Sequence, residues 1–247
     1  MPNERLRAAL LERGLTPESL AAQIEVDAKT IERWITKDRT PYRRHRYATA
    51  AALGIEESYL WPDALSPVQA AGVSESEIVN VYPHRWTVPR DEWLRLFTAA
   101  EEDIDILVYA AMFLAEDAGI VRTLASKAAD GVRVRLLFGD PDSDAVAQRG
   151  DEERVGSALA ARVRNVMALF APLIAVDEVQ VRLHNTPLYN SIFRADDDLL
   201  VNPQIYGTAA SNAPVLRLRK VAGGSLVTTY MECFERVWDE AQPFEQE

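Results

Sequence analysis

Residues that carry redox, metal and crosslinking chemistry are scarce in this chain. It has one cysteine and three histidines in 247 residues. Cys233 alone cannot close an internal disulfide or furnish a cysteine-based zinc site; its helical surroundings make it a core-facing residue. A reducing, cytoplasmic setting is the simplest expectation. His45 falls in a basic stretch and His84 in a join, neither with metal-type neighbours, and Asp196–Asp198 reads as the turn between two strands. No metal and no cofactor are therefore expected. Glycine (11) and proline (13) are at ordinary levels, which excludes collagen-like and mucin-like chains. Long apolar runs are missing too. The longest, 167–176, is interrupted by Pro172 and is far below the roughly 18–20 residues of a membrane span. No membrane partner is expected. Asn3, Glu4 and Arg5 stand where a secretory leader would be apolar, so no leader is expected.

What is present suffices for a packed interior: 48% of the residues are hydrophobic and 26% charged. The length suits one large domain or two smaller ones. Charge separates them. Residues 1–65 carry ten basic and ten acidic side chains, residues 66–247 carry 17 and 28, so the second part holds the whole net charge of −11. Within the neutral part, Lys29, Arg33, Lys37, Arg39, Arg43, Arg44 and Arg46 face only Glu32 and Asp38. Such a local cationic stretch can hold an anionic polymer, because salt screens distant acidic charge over about 8–10 Å.

Hydrophobic periodicity organises residues 1–65 into five short helices. Leu6 and Leu10 recur at helical spacing; Gly14 turns the chain; Leu20, Ala21 and Ile24 repeat the pattern. Thr16-Pro17 is a helix start, and Asp27 caps the next helix, with Ile31, Trp34 and Ile35 on one face. Arg43–Leu53 forms another helix closed by Gly54, and 56–61 a last short turn. Helix, tight turn and helix make a helix-turn-helix pattern. The string LAAQIEVDAKTIERWITKDRTPYRRHRYATAAALGIEESYL resembles the lambda-repressor-like (Xre) DNA-binding family, and the resemblance covers residues 3–61. Two positions depart from it. Glu25 stands where the turn often has glycine, and Pro17 where a phosphate-touching glutamine is common.

With Ile31, Trp34 and Ile35 inward, a rotation of about 100° per residue sends Lys29, Arg33, Thr36 and Lys37 outward and leaves Thr30 on the shoulder. The resemblance implies that the start of this helix enters the major groove. Lys29, Thr30 and Arg33 are the base-edge candidates. Thr36 shares their outward face, and Lys37, Arg39, Arg43 and Arg44 suit phosphates. Double-stranded DNA with a palindromic operator is the expected partner, which calls for a homodimer.

Residues 66–86 read as a linker, with Pro62 before it and Ser66-Pro67, Gly72 and Pro83 inside it; Ile78–Tyr82 within it has strand character. Residues 87–247 alternate helices and strands, an α/β pattern. Residues 142–154 are polar and read as mobile. The strings IDILVYA, ADGVRVRLLFGD, VQVRLH and FERVWDEA occur in the order and spacing of the phospholipase D-like fold, which this region resembles over about 87–241 as a single repeat. The family's chemistry lies in a His-x-Lys-x4-Asp motif. Its histidine attacks phosphorus, a second histidine from another repeat or subunit acts as acid, and lysines hold phosphate oxygens. Here His184 keeps the histidine position, but Thr186 replaces the lysine and Ser191 the aspartate. The following Gly-Ser-x-Asn becomes Val-Asn-Pro-Gln, with Asn202 as the nearest polar survivor. Loss of one transition-state contact costs roughly 2.7–4 kcal/mol, so no catalytic residue is assigned.

A polar pocket remains as the expectation, formed by His184, Thr186, Tyr189, Asn190, Ser191, Arg194 and Asn202. Arg217 and Arg219 either anchor an anion or form salt bridges at a strand edge. His184 is either a ligand contact or a hydrogen-bonded core residue. The expected function is a transcription regulator whose second domain dimerises and senses an anionic small-molecule effector. Two alternatives stay open: a DNA-directed phosphodiesterase using His184, and a protein-interaction scaffold.

Overall fold

Short amphipathic helices build the first unit, and local capping sets their ends. The computed structural model describes residues 3–37, 39–55, 57–61, 64, 72 and 75–244. One unit takes in Met1–Glu77 with Val221–Leu226, the other Ile78–Lys220 with Val227–Glu247. In the first, α1 (Glu4–Glu12) is capped by Asn3, whose side chain accepts from the Leu6 amide. Thr16 and Ser19 exchange capping hydrogen bonds at the start of α2 (Pro17–Gln23). Asp27 caps α3 (Ala28–Thr36) by accepting from Lys29 N–H. A four-residue connection, 24–27, joins α2 to α3, with Glu25 at φ 55°. Then follow α4 (Arg43–Leu53), stopped by Gly54 at φ 61°, and α5 (Glu57–Leu60). Leu6, Leu20, Ile31, Leu53 and Leu60 form the core, with Ile24 and Val26 packed at its edge. Trp34 meets Trp61 edge to face at 6.1 Å. The expected features at Asp38, Glu56, Pro62, Ser66 and Pro67 lie outside the described residues.

The second unit is a mixed eight-stranded sheet in the order β1-β7-β6-β5-β2-β3-β4-β8. The strands are β1 Ile78–Tyr82, β2 Asp103–Leu107, β3 Arg133–Gly139, β4 Val179–His184, β5 Asn190–Ala195, β6 Asp198–Pro203, β7 Val215–Arg219 and β8 Gln242–Pro243. β2, β3 and β4 run parallel. Parallel neighbours need crossovers, which α7 (Met112–Ala115), α8 (Ala118–Ala129), α9 (Asp144–Glu152) and α10 (Ala158–Ile174) supply. β5, β6 and β7 meander antiparallel beside β2. On one face α6 (Arg90–Ala99) packs Trp93 against Phe193 at 4.9 Å. On the other lies α11 (Leu226–Glu240), where Arg135 sits over the Phe234 ring at 4.7 Å.

Three local expectations change. Residues 144–152 are a helix rather than a mobile stretch, because Ala145, Val146 and Arg149 recur at helical spacing and bury one side. β1 pairs with β7, so the sheet unit starts at Ile78 rather than at residue 87. Cys233 is half-buried rather than core-facing. Pro172 remains inside α10 near its end. No helix among the described residues is long and apolar enough to cross a membrane.

Candidate functional site

The residues singled out in the sequence fall in two places. The first is the outer face of α3 and the segment after it. Ile31, Trp34 and Ile35 are buried, which turns Lys29, Arg33, Thr36 and Lys37 outward and leaves Thr30 half-buried. Arg39, Arg43 and Arg44 are exposed as well. Lys29, Arg33, Lys37, Arg39 and Arg43 make no ion pair with another described residue. Arg46 is different: it pairs with Glu57 at 2.5 Å and donates to the Pro41 carbonyl at 2.8 Å. Arg44 donates to His45 at 3.0 Å, and Thr36 donates back to the Glu32 carbonyl at 2.7 Å.

The second place is the end of β4 and its surroundings. His184 closes the strand and is 1% exposed. Its Nε2 lies 3.1 Å from the Val108 carbonyl, and its Nδ1 accepts from Thr186 N–H at 3.3 Å. The Val108 carbonyl can only accept, so Nε2 carries the proton. Burial pushes His184 down to about 4, which keeps the ring neutral. Both nitrogens are engaged within the fold, the core alternative for this residue.

The remaining foreseen residues divide. Arg194 is held by Asp105 at 2.6 Å and Asp103 at 3.3 Å. Arg217 pairs with Glu92 and Asp198, and Arg219 with Asp198 at 2.9 Å. These arginines make the salt bridges of the second alternative, and carboxylates already neutralise them. Tyr189 is 83% exposed and points away. Ser191 and Asn202 are cross-strand partners, both buried. Ser191 Oγ accepts from Gln204 at 3.1 Å, and Asn202 donates to the Pro214 carbonyl at 2.8 Å. The side-chain oxygens of Asn190, Asn202 and Gln204 are buried with no hydrogen-bond partner among the described residues.

Of the foreseen ligand residues, only Ser191 lines a pocket found in this unit. That cavity, about 120 Å³, lies where β2 ends, with Arg85, Phe113, Glu153, Arg162 and Gln204 also in its wall. The segment that follows β2 passes through Ala111 at φ 58°. Arg85 lies over the Phe113 ring at 4.4 Å. Burial pushes Arg85 down to about 10, with Glu153 partly offsetting it. Glu153 itself pairs with buried Arg149 at 2.7 Å. Gln204 belongs to the Val-Asn-Pro-Gln string; Arg85, Glu153 and Arg162 carried no sequence signal. No group of His, Cys, Asp and Glu among the described residues is placed to hold a metal ion.

Residues 75–245 match the family described as a domain of unknown function (DUF5919). The chain belongs to the DUF5919 family. The match begins three residues before β1, so the DUF5919 segment coincides with the sheet unit and contains the pocket. No curated protein matches the chain. Among solved structures, the chain is similar to the phospholipase D family member Nuc from Salmonella typhimurium, at 16% identity and a TM-score of 0.39, covering 64% of this chain and 91% of that one. It is similar to TrmBL2, an archaeal chromatin protein, at 13% identity and a TM-score of 0.41, covering 81% and 62%. It is also similar to NucT from Helicobacter pylori, at 11% identity and a TM-score of 0.37, covering 67% and 96%.

Proposed function

We propose that this protein is a DNA-binding transcription regulator. In this reading α2 and α3 form an Xre-type helix-turn-helix, and the DUF5919 domain is a phospholipase D-like fold that pairs two copies and senses a small anion. One observation carries it: the row Lys29, Arg33, Lys37, Arg39 and Arg43 is exposed and makes no ion pair with other described residues. Exposed cations at that spacing are what a phosphate backbone attracts. A helix start with exposed Lys29 and Arg33 can reach base edges.

The second domain supports sensing over phosphodiester cleavage. A nucleophilic imidazole must offer a lone pair to phosphorus. His184 donates through one nitrogen and accepts through the other, inside the protein. Thr186 and Ser191 supply no fixed charge where the resembled motif has lysine and aspartate.

Fluorescence anisotropy with a labelled duplex, selected from a random pool by the wild-type chain, tests the reading. Arg43→Ala should weaken all duplexes and lower the salt slope by about one unit. Arg33→Ala should cost about 1–3 kcal/mol of discrimination between selected and random duplex. Wild-type protein that ignores DNA at about 50 mM salt would overturn it.

A further inference from the structure

Carboxylates are plentiful around the sheet unit: residues 66–247 hold 28 acidic side chains against 17 basic ones. Most of its arginines have found one. Arg90 sits on Asp117, Arg135 and Arg194 on Asp105, Arg149 on Glu153 and Arg219 on Asp198. Arg85 and Arg162 have not. Neither makes a hydrogen bond or an ion pair with another described residue, and both line the same pocket.

Of the two, Arg85 is the more telling. It is half-buried, and burial pushes it down to about 10, as expected of a cation whose lost hydration has not been replaced. It lies over the Phe113 ring at 4.4 Å, a contact that uses the face of the guanidinium and none of its N–H groups. Those five donors point outward in the guanidinium plane, where an oxyanion is the matching acceptor. Glu153, the acid of the wall, is held by Arg149 at 2.7 Å. Arg162 is exposed and adds a second cation to the lining. Much of the remaining wall is apolar, with Val108, Ala111, Met112, Phe113, Leu159 and Ala210. An apolar lining with a few placed charges is the usual make-up of a small-molecule site. An inorganic anion would answer the arginines and leave that wall in water. The pocket is half-open, so the length of a ligand is not what it selects.

We infer that this pocket binds an organic oxyanion, with its charged oxygens on Arg85 and Arg162 and its carbon body against Phe113 and Leu159. A carboxylate and a phosphate monoester both carry such a head, and a guanidinium fork takes either. Occupancy follows from the pocket alone; an effector role for the anion rests on the regulator reading above.

Isothermal calorimetry on the full chain, without DNA, tests occupancy with butyrate, monobutyl phosphate, acetate, inorganic phosphate and butylammonium. At least one of the two butyl anions should bind, and the tighter of them names the head group. It should bind roughly tenfold tighter than its counterpart without the carbon body, acetate or inorganic phosphate, because buried methylenes add to affinity. Butylammonium, with the same body and the opposite charge, should not bind. Arg85→Gln should weaken binding at least tenfold. Arg162→Glu, at an exposed position that folding does not depend on, should also weaken it at least tenfold. Ala210→Leu, which crowds the cavity from another wall, should abolish binding without touching a charge. No binding of either butyl anion at millimolar concentration, inorganic phosphate or butylammonium binding as tightly, or undiminished binding in either arginine variant would overturn the proposal. Anisotropy with the selected duplex, with and without the bound anion, reads the effector role separately. Anion binding with no DNA binding would fell the regulator reading and leave the pocket standing.

Discussion

At the scale of single residues, His184 shows how far a motif position can drift from its chemistry. Buried and neutral, it titrates near 4 in the fold against 6.5 in a free chain. Between those values the unfolded chain holds a proton that the folded chain does not, so stability rises with pH through that window and is lost as pH falls through it. The full difference corresponds to about 3 kcal/mol. Urea unfolding near pH 7 and near pH 5 should show the loss in the wild type. His184→Gln, which can still donate to Val108, should flatten that part of the profile; an unchanged slope would mean that another group carries it. The sequence showed His184 at the motif position but not which way its nitrogens face. That depends on the Val108 carbonyl, a strand away. Arg85 was invisible for the same reason. It stands in a stretch read as a linker, and only the folded sheet brings it to Phe113 and the Gln204 region.

At the scale of elements, two features store cost in return for geometry. The connection between α2 and α3 holds Glu25 at φ 55°, a left-handed angle that costs a side chain roughly 1 kcal/mol. Glu25→Gly should stabilise the chain by about 0.5–1 kcal/mol in urea unfolding, less the extra entropy glycine gains when unfolded. This strain was legible beforehand, because the resemblance puts Glu25 where the turn often has glycine. The second feature was not. Asp105 on β2, fully buried, receives Arg135 from β3 at 2.7 Å and Arg194 from β5 at 2.6 Å, and Glu235 of α11 binds Arg135 from above at 2.7 Å. Asp105→Ala removes the buried carboxylate the two guanidiniums share, leaving Arg135 on Glu235 and Arg194 on Asp103, and should cost about 3–5 kcal/mol, read as a lowered urea midpoint. These residues are far apart in sequence, and only the strand order β5-β2-β3 aligns them.

At the scale of the whole molecule, charge divides along the chain: residues 1–65 are neutral with a local cationic stretch, and residues 66–247 carry the whole net charge of −11. Paired half-sites require paired readers. Sedimentation velocity at micromolar concentration should therefore show a dimer, and the DUF5919 segment expressed alone should retain it. A monomeric full chain would remove the palindromic operator from the reading.

Most of the helices and strands, their buried faces and the cationic row were legible in the sequence, because periodicity, caps and charge spacing are local properties that survive without a fold; the short helix α7 and the strand β8 were not. Helix α9 escaped only because its buried face is built from an alanine, a valine and an arginine, too polar a set to stand out. Tertiary structure alone decided which polar groups face a cavity and which face each other. The fold placed the foreseen arginines against carboxylates, set His184 against the Val108 carbonyl, and brought Arg85 and Gln204 into the wall of one pocket. Pairing of that kind is a matter of distance in space, which linear order does not encode.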